Sequence, residues 1–242
     1  AGWREVFLEE AEAASCAGVV RAVLAGHSVL VLEAVASAEE CAALAAEAAG
    51  LARRELEERA ALEELGLLDD VMAADAGRVR MPVRTRLSEA GQARCEALLL
   101  RTLRRLSPMR DARLLLGDCL GAPCCLANPT LGWSPGEPAV NVYAAGGEFK
   151  PHEDEQALTV LLPLSSRGAA FEGGGTAFWR PSERADEDAD GQRHVRGPPT
   201  FTLAPPAGSA LLFGGQATHA AQPVTAGERC VFVGSFTPTS FQ

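Results

Sequence analysis

The second half of the chain, from Ala139 onward, is a series of short runs rich in β-branched and aromatic residues, separated by glycine or proline. The runs cover residues 139–144, 157–164, 175–179, 200–203, 209–213, 218–224 and 229–236. Many short strands with turn residues between them are typical of a β-sandwich or a barrel. This pattern constrains the fold more than any other feature of the sequence.

The first half of the chain has a helical pattern instead. Residues 37–68 are rich in Ala, Leu and Glu, and Ser37 with Glu40 forms a capping box that predicts the start of a long helix. A second helix is predicted over 88–106, and Pro108 ends it. A short strand is predicted over 28–35, and the proline-rich stretch 117–138 is predicted to be a loop, as is the polar stretch 182–199. We therefore expect one domain over 1–242, in which a helical support region (1–138) packs against the strands of a β core (139–237).

Composition excludes several classes of protein. The chain has 22 Lys+Arg against 32 Asp+Glu, a net charge of −10 without a basic run, which argues against nucleic-acid binding. No run of 18 apolar residues is present, so no membrane span is predicted, and no signal peptide is visible. The compartment is left open, with the cytoplasm favoured on these grounds, and so is the oligomeric state.

The seven cysteines predict no metal site. Reduced thiols are expected for an odd number of cysteines scattered over a chain of this size. Cys119, Cys124 and Cys125 resemble part of a zinc knuckle, but no second Cys or His pair follows at the spacing that zinc requires.

Two of the four histidines lie in a pattern that suits a metal ion. His152 and Asp154 are two residues apart, so on an extended strand their side chains point to the same face. His219 lies 67 residues later in another predicted strand. Two imidazoles and one carboxylate on one side of a metal, with open positions opposite, form the ligand set of non-haem Fe(II) oxygenases.

Arg229 begins the last apolar run, ten residues after His219. A guanidinium that enters a barrel of apolar strands needs an anionic partner, because burying an unpaired charge is costly. Its planar fork can take a carboxylate through two hydrogen bonds. A dicarboxylate cosubstrate would supply that partner.

Together these residues resemble the 2-oxoglutarate and Fe(II)-dependent dioxygenases, in the branch that contains the prolyl 4-hydroxylase catalytic domains. The resemblance covers about residues 139–237, with a strand and helix start at 29–41 that are also similar. It is carried by the stretch 143–154 (YAAGGEFKPHED), Leu158-Thr159, Gly173-Gly174-Gly175-Thr176-Ala177-Phe178, Gly208-Ser209-Ala210-Leu211-Leu212-Phe213, His219, Pro223-Val224 and Gly227-Glu228-Arg229.

The resemblance implies a fold, a site and an activity. The fold is α+β but mainly β: a double-stranded β-helix (jelly-roll or cupin-like) with N-terminal supporting helices. His152, Asp154 and His219 would hold Fe(II). Arg229 would bind the distal carboxylate of 2-oxoglutarate, with Tyr143 and Thr176 bonding the same end.

The expected activity is hydroxylation of a peptidyl substrate, prolyl or otherwise, or of a small molecule. O2 is consumed, succinate and CO2 are released, and ascorbate serves as an additional cofactor. Fe(II), the Asp154 carboxylate and 2-oxoglutarate sum to a charge of −1, which Arg229 brings to zero. Prolyl hydroxylases usually have lysine at the position of Arg229, so the arginine puts the prolyl substrate in doubt.

Several alternatives compete with this interpretation. The main one is a catalytically silent double-stranded β-helix that binds a metal or ligand without oxidising anything. Residues 186–191 begin like an EF-hand loop, but Gly197 stands where a bidentate glutamate is required, so we expect an acidic lid instead. His194 is expected to be a solvated loop residue and His27 a structural one. A hydrolase is disfavoured, because no Gly-x-Ser-x-Gly elbow is present.

Overall fold

The computed structural model describes residues 2–65, 77–117, 126, 131–154, 156–181, 184–187, 193–195 and 197–238. Within these residues the helices are α1 (Glu10–Ser15), α2 (Val19–Leu24), α3 (Ala38–Glu64), α4 (Val83–Arg86), α5 (Glu89–Leu106) and α6 (Arg110–Leu116). The strands of the first half are β1 (Trp3–Phe7), β2 (Ser28–Leu32), β3 (Arg78–Pro82) and β4 (Leu131–Trp133). Those of the second half are β5 (Ala139–Tyr143), β6 (Phe149–His152), β7 (Leu158–Pro163), β8 (Phe171–Gly173), β9 (Thr176–Phe178), β10 (Arg184–Glu187), β11 (Arg193–Val195), β12 (Phe201–Leu203), β13 (Ala210–Phe213), β14 (His219–Ala221), β15 (Val224–Gly227) and β16 (Arg229–Pro238).

The strands form a large and a small antiparallel sheet. The large sheet has the order β1-β2-β13-β7-β16-β5-β3, and β4 pairs with the end of β16. The small sheet has the order β12-β9-β14-β6. Two further pairs, β15 with β8 and β10 with β11, make two-stranded ribbons. The predicted class, a mainly β double-stranded β-helix with N-terminal helices, is confirmed.

The large sheet has two different faces, because successive side chains of a strand point to opposite sides. One face packs against α3 and α5 in the main hydrophobic core, where Leu44 of α3 and Leu99 of α5 meet Leu162 and Phe232 of the sheet. The other face looks toward the small sheet and includes Val231 and Leu161. The functional residues discussed below lie between the two sheets.

The long helix α3 begins where its sequence predicts. The hydroxyl of Ser37 accepts from the backbone N–H of Glu40 at 3.2 Å, and the Glu40 carboxylate accepts from the N–H of Ser37 at 2.8 Å. Arg101 of α5 donates to both oxygens of the same carboxylate, at 2.9 and 2.7 Å, and these bonds lower the pKa of Glu40 to about 2. The helix start is thus also a joint between α3 and α5.

Three expectations about local structure need correction. The run 218–224 is two strands in different sheets, β14 and β15, because Pro223 has no N–H to donate and breaks the ladder. The stretch 182–199 contains the ribbon of β10 and β11, whose Val195 packs against the small cluster of Ala177, Trp179 and Ala220. The helical support region also supplies strands: β1 and β3 lie at the two edges of the large sheet, and β4 lies within the stretch 117–138, which the sequence predicts to be a loop. The division of 1–242 into a support region and a β core remains a prediction.

Some expectations concern residues outside the described ranges. Cys119, Cys124 and Cys125 lie there, as does most of the acidic stretch 186–191. The described cysteines, Cys16, Cys41, Cys95 and Cys230, are free. In the part of the chain that the structure describes, every helix is too short or too polar to cross a membrane.

Candidate active site

His152, Asp154 and His219 converge between the two sheets. Strands β6 and β14 pair so that His219 lies directly opposite His152, and their ring centroids are 4.3 Å apart. Asp154 follows β6, with Oδ1 3.5 Å from His152 Nε2 and Oδ2 3.6 Å from His219 Nε2. One ligand atom from each residue lies within 4.8 Å of the other two.

Both imidazoles are held with Nε2 toward the cluster. His152 Nδ1 lies 2.8 Å from the carbonyl oxygen of Lys150, and His219 Nδ1 lies 3.0 Å from that of Ala217. A carbonyl oxygen only accepts, so Nδ1 of each ring carries a proton and Nε2 is the nitrogen turned toward the cluster. Burial lowers the pKa of His219 to about 4, which keeps this ring neutral at pH 7 and able to bind a metal.

Asp154 is oriented by buried hydroxyl groups. The Thr159 hydroxyl donates to Asp154 Oδ2 at 2.5 Å, and the hydroxyl of Ser235 lies 3.0 Å from that of Thr159. Burial alone would raise the pKa of Asp154, but the two histidines and the Thr159 hydrogen bond outweigh it and hold the pKa below its ordinary value. The carboxylate is therefore ionised, with Oδ2 occupied by Thr159 and Oδ1 free of that bond.

Arg229 lies in the same space and is 4% exposed. One of its terminal nitrogens, Nη2, donates to Thr176 Oγ1 at 3.0 Å, and its guanidinium carbon lies 5.3 Å from the centre of the Tyr143 ring. Nη1 is buried and has no hydrogen-bond partner among the described residues, none of whose carboxylates pairs with the guanidinium. Burial lowers the pKa of Arg229 from a very high value, and the side chain stays charged. An anion that binds here would supply the missing hydrogen-bond acceptor for Nη1 of Arg229.

A cavity of about 230 Å³ joins these groups. All six residues that the sequence singled out line it: Tyr143, His152, Asp154, Thr176, His219 and Arg229. Its wall also includes residues that the sequence analysis missed, namely Arg78, Arg80, Glu137 and Asn141. Arg78 lies over the ring of Phe149 at 3.8 Å, and Arg80 forms an ion pair with Glu137 at 2.9 Å. The alternation of Arg78-Val79-Arg80-Met81 was a usable signal, because it is the pattern of a strand with one apolar and one polar face.

His27 does not line this cavity. His27 is near the N-terminus, where its backbone carbonyl accepts from Leu8 and Glu9 and its Nδ1 lies 3.6 Å from the Glu9 carboxylate. That arrangement fits a structural residue. His194 falls within β11 rather than in a loop.

The donor set fits a mononuclear Fe(II) centre with an anionic cosubstrate. Two neutral imidazoles and a carboxylate suit a first-row divalent metal, and ligands on one side leave positions open on the other. The buried Nη1 of Arg229 is a ready donor for a carboxylate that approaches such a metal from the cavity.

Comparison with known proteins gives a family match for the second half of the chain. Residues 138–237 match the family described as the 2OG-Fe(II) oxygenase superfamily. No curated protein matches the chain.

Several solved structures are similar to the chain at low identity. A Pseudomonas putida prolyl-4-hydroxylase is 18% identical over 90% of this chain and 98% of its own, with a TM-score of 0.46. The viral collagen prolyl hydroxylase of Paramecium Bursaria Chlorella virus-1, in complex with 2OG, is 13% identical over 88% and 98%, with a TM-score of 0.49. HygX from Streptomyces hygroscopicus, with nickel, 2-oxoglutarate and hygromycin B bound, is 15% identical over 87% and 83%, with a TM-score of 0.49.

Proposed function

Residues 138–237 belong to the 2OG-Fe(II) oxygenase superfamily, and on that premise we propose that the chain hydroxylates an organic substrate at an iron held by His152, Asp154 and His219. The recognition from sequence is confirmed, and with it the assignment of an oxidoreductase that uses Fe(II) and 2-oxoglutarate. The identity of the ligands, the cosubstrate anchors and the substrate are the parts that we propose.

One observation carries the proposal: a three-ligand cluster and a buried guanidinium without a carboxylate partner among the described residues share one cavity. Leaving a buried donor unsatisfied costs about 1–3 kcal/mol, and more when the group is charged. A bound ligand that accepts a hydrogen bond from the guanidinium would remove this cost. A 2-oxo dicarboxylate fits both features, since one end can bind the metal and the other can bind Arg229.

We assign the distal carboxylate of 2-oxoglutarate to Arg229, with Thr176 and Tyr143 beside it. Thr176 already accepts from Arg229 Nη2, so its own hydroxyl proton is free to be donated to a carboxylate oxygen. Tyr143 is the cross-strand partner of Arg229 in the large sheet, and its side chain lines the same cavity. With the cosubstrate bound, the charges of metal, Asp154, 2-oxoglutarate and Arg229 sum to zero, which suits a buried site.

The bound metal supplies activation of O2, and the chain supplies position and shielding. His152 and His219 present Nε2 because their Nδ1 protons are engaged, and Thr159 keeps Oδ2 of Asp154 occupied. In the balanced reaction, 2-oxoglutarate, O2 and a C–H bond of the substrate give succinate, CO2 and the hydroxylated product. The substrate is a peptidyl residue or a small molecule, and ascorbate is the proposed auxiliary reductant.

The test is the formation of succinate from 2-oxoglutarate by the purified chain with Fe(II), O2 and ascorbate. Peptides and metabolites are screened together for a mass gain of one oxygen. We expect succinate formation that the substrate accelerates, and the additional succinate should be equimolar with the hydroxylated product. Binding of the metal and of 2-oxoglutarate without any formation of succinate would favour the catalytically silent module.

Asp154→Asn tests the ligand assignment, because it keeps the shape of the side chain and removes its charge. Succinate formation should fall to background in this variant with the far-UV circular dichroism unchanged. Retained iron-dependent activity would place the metal elsewhere and contradict the ligand assignment.

A further inference from the structure

The cavity has a second polar end, formed by Arg80 of β3, Asn141 of β5 and Glu137, which precedes β5. Arg80 and Asn141 are directly opposed across strands β3 and β5, two positions along from the pair of Arg78 and Tyr143. This end is not needed for the metal or for the proposed 2-oxoglutarate anchors. It lies in the same cavity, which is where a second substrate must reach the metal.

Two buried polar atoms at this end have no hydrogen-bond partner among the described residues: Arg80 Nε and Asn141 Oδ1. Asn141 is only 7% exposed, so its amide oxygen is shielded from bulk solvent. One of these atoms is a donor and the other an acceptor. A ligand that satisfies both must therefore offer an acceptor and a donor close together.

The charges at this end compensate each other. Arg80 Nη2 donates to Glu137 Oε1 at 2.9 Å, and the other Glu137 oxygen accepts from the backbone N–H of Ser235. A carboxylate placed here would face Glu137, and an ammonium group would face Arg80. Each would meet a like charge beside an opposite one, so no net attraction would offset the cost of desolvating the charged group.

We propose that Arg80, Glu137 and Asn141 form the subsite for the prime substrate, and that it takes an uncharged group that both donates and accepts hydrogen bonds, an amide or a hydroxyl. The group would accept from Arg80 Nε and donate to Asn141 Oδ1. Glu137 acts as a specificity determinant by neutralising Arg80. The inference rests on the proposed function, since it presumes that the metal and 2-oxoglutarate occupy the rest of the cavity.

The experiment uses four probes of equal chain length: butyramide, 1-butanol, butyrate and butylammonium. Binding is followed by saturation-transfer NMR at pH 8, to the full chain loaded with Zn(II) and saturated with 2-oxoglutarate. Bound 2-oxoglutarate keeps butyrate away from Arg229, and the use of zinc instead of iron prevents turnover. We expect butyramide or 1-butanol to bind at least about tenfold more tightly than either charged probe. Which of the two binds more tightly tells an amide from a hydroxyl substrate.

Two isosteric variants test the charge logic. Glu137→Gln leaves Arg80 uncompensated, so affinity for butyrate should rise about tenfold. Asn141→Asp adds a carboxylate and keeps a hydrogen-bond acceptor, so affinity for butylammonium should rise by about the same factor while that for butyramide changes less. Tightest binding of a charged probe to the unaltered chain, unchanged ranking in both variants, or no binding of any probe would each overturn the inference.

Binding of Zn(II) and of 2-oxoglutarate is measured separately in all three proteins. A chain that binds neither would refute the proposed function itself. If the chain binds both Zn(II) and 2-oxoglutarate, but the two substitutions do not change the affinities for the probes, only the proposed subsite is refuted.

Discussion

The two faces of the large sheet are built from the same strands but meet different requirements. On β16, Cys230 and Phe232 point to the helices, whereas Arg229 and Val231 point to the cavity. The same alternation occurs on β3, where Val79 and Met81 pack in the main core while Arg78 and Arg80 line the cavity. On these two strands, the face toward the helices is apolar and the face toward the cavity mixes apolar with polar side chains.

The two faces contribute differently to the free energy of unfolding. On the helix face, burial of apolar area stabilises the fold without any ligand. On the cavity face, Arg229 Nη1, Arg80 Nε and Asn141 Oδ1 are buried without partners among the described residues. Each such atom disfavours the ligand-free fold, so the cavity face is complete only when something binds.

The largest expected effect compares two leucines that are neighbours on β7. Leu162 is fully buried against the helices, and Leu161 lines the cavity. Leu162→Ala should lower the free energy of unfolding by about 3–5 kcal/mol, because it leaves a closed void. Leu161→Ala should cost about 2 kcal/mol, since it enlarges a space that already exists. Urea unfolding measures both, and equal losses would mean that the faces do not differ.

Glu137 provides a pH test of the cavity face. Burial raises the pKa of Glu137 to about 7 from its ordinary 4.5, against the opposing effects of Arg80 and the Ser235 N–H and with the charges of Asp154 and His152 nearby. A carboxyl whose pKa is raised on folding binds its proton more tightly in the folded state. Its contribution is therefore full below about pH 4.5 and is lost as the pH rises through about 7, a change of about 3 kcal/mol.

Glu137→Gln isolates this contribution. The amide does not titrate, so the difference in unfolding free energy between the original chain and the variant should change by about 3 kcal/mol between pH 4.5 and 8. Metal-free protein is used so that ligand binding does not add its own pH dependence. A difference that is constant with pH would show that Glu137 titrates normally.

Arg229→Met should separate stability from function on the same face. The buried guanidinium is removed and replaced by an apolar chain of similar length, so the metal-free protein should unfold at an equal or higher temperature. Affinity for 2-oxoglutarate should fall about 100-fold, the effect expected from losing charge-assisted hydrogen bonds. Calorimetric titration of the zinc-loaded protein measures the affinity. A large loss of thermal stability would mean that Arg229 is a structural residue.

The sequence was sufficient for the elements whose residues carry a local signal. Ser37 and Glu40 predicted the start of α3, and alternating apolar runs predicted most strands of the second half. It failed where the signal is spread over the fold. Strands β1 and β3 lie in the helical half and are stabilised by pairing with β2 and β5. The alternation of β3 indicates a strand, but no local pattern reveals which strand it pairs with.

The candidate site shows the same division. His152, Asp154, His219 and Arg229 were found because rare or costly residue types stood in a motif. Glu137 was not found, because its burial and its ion pair with Arg80, 57 residues earlier, exist only after the strands have paired. A carboxylate next to proline has no sequence signature that distinguishes a cavity wall from a surface turn.

The smallest expected effect concerns Thr159, which lies on the cavity face of β7 and orients Asp154. Thr159→Val removes the hydrogen bond to Asp154 Oδ2 and keeps the shape of the side chain. Outer partners of metal ligands typically change metal affinity by about 10-fold to 100-fold, and we expect the lower value because the carboxylate itself remains. Competition with a chelator for Co(II) measures it. Thr102→Val is the control, since Thr102 is equally buried but its hydroxyl donates to the Leu98 carbonyl within α5. Equal metal affinities for the two variants would show that the Thr159 hydroxyl stabilises the fold alone, and that the metal-binding geometry comes from the strands.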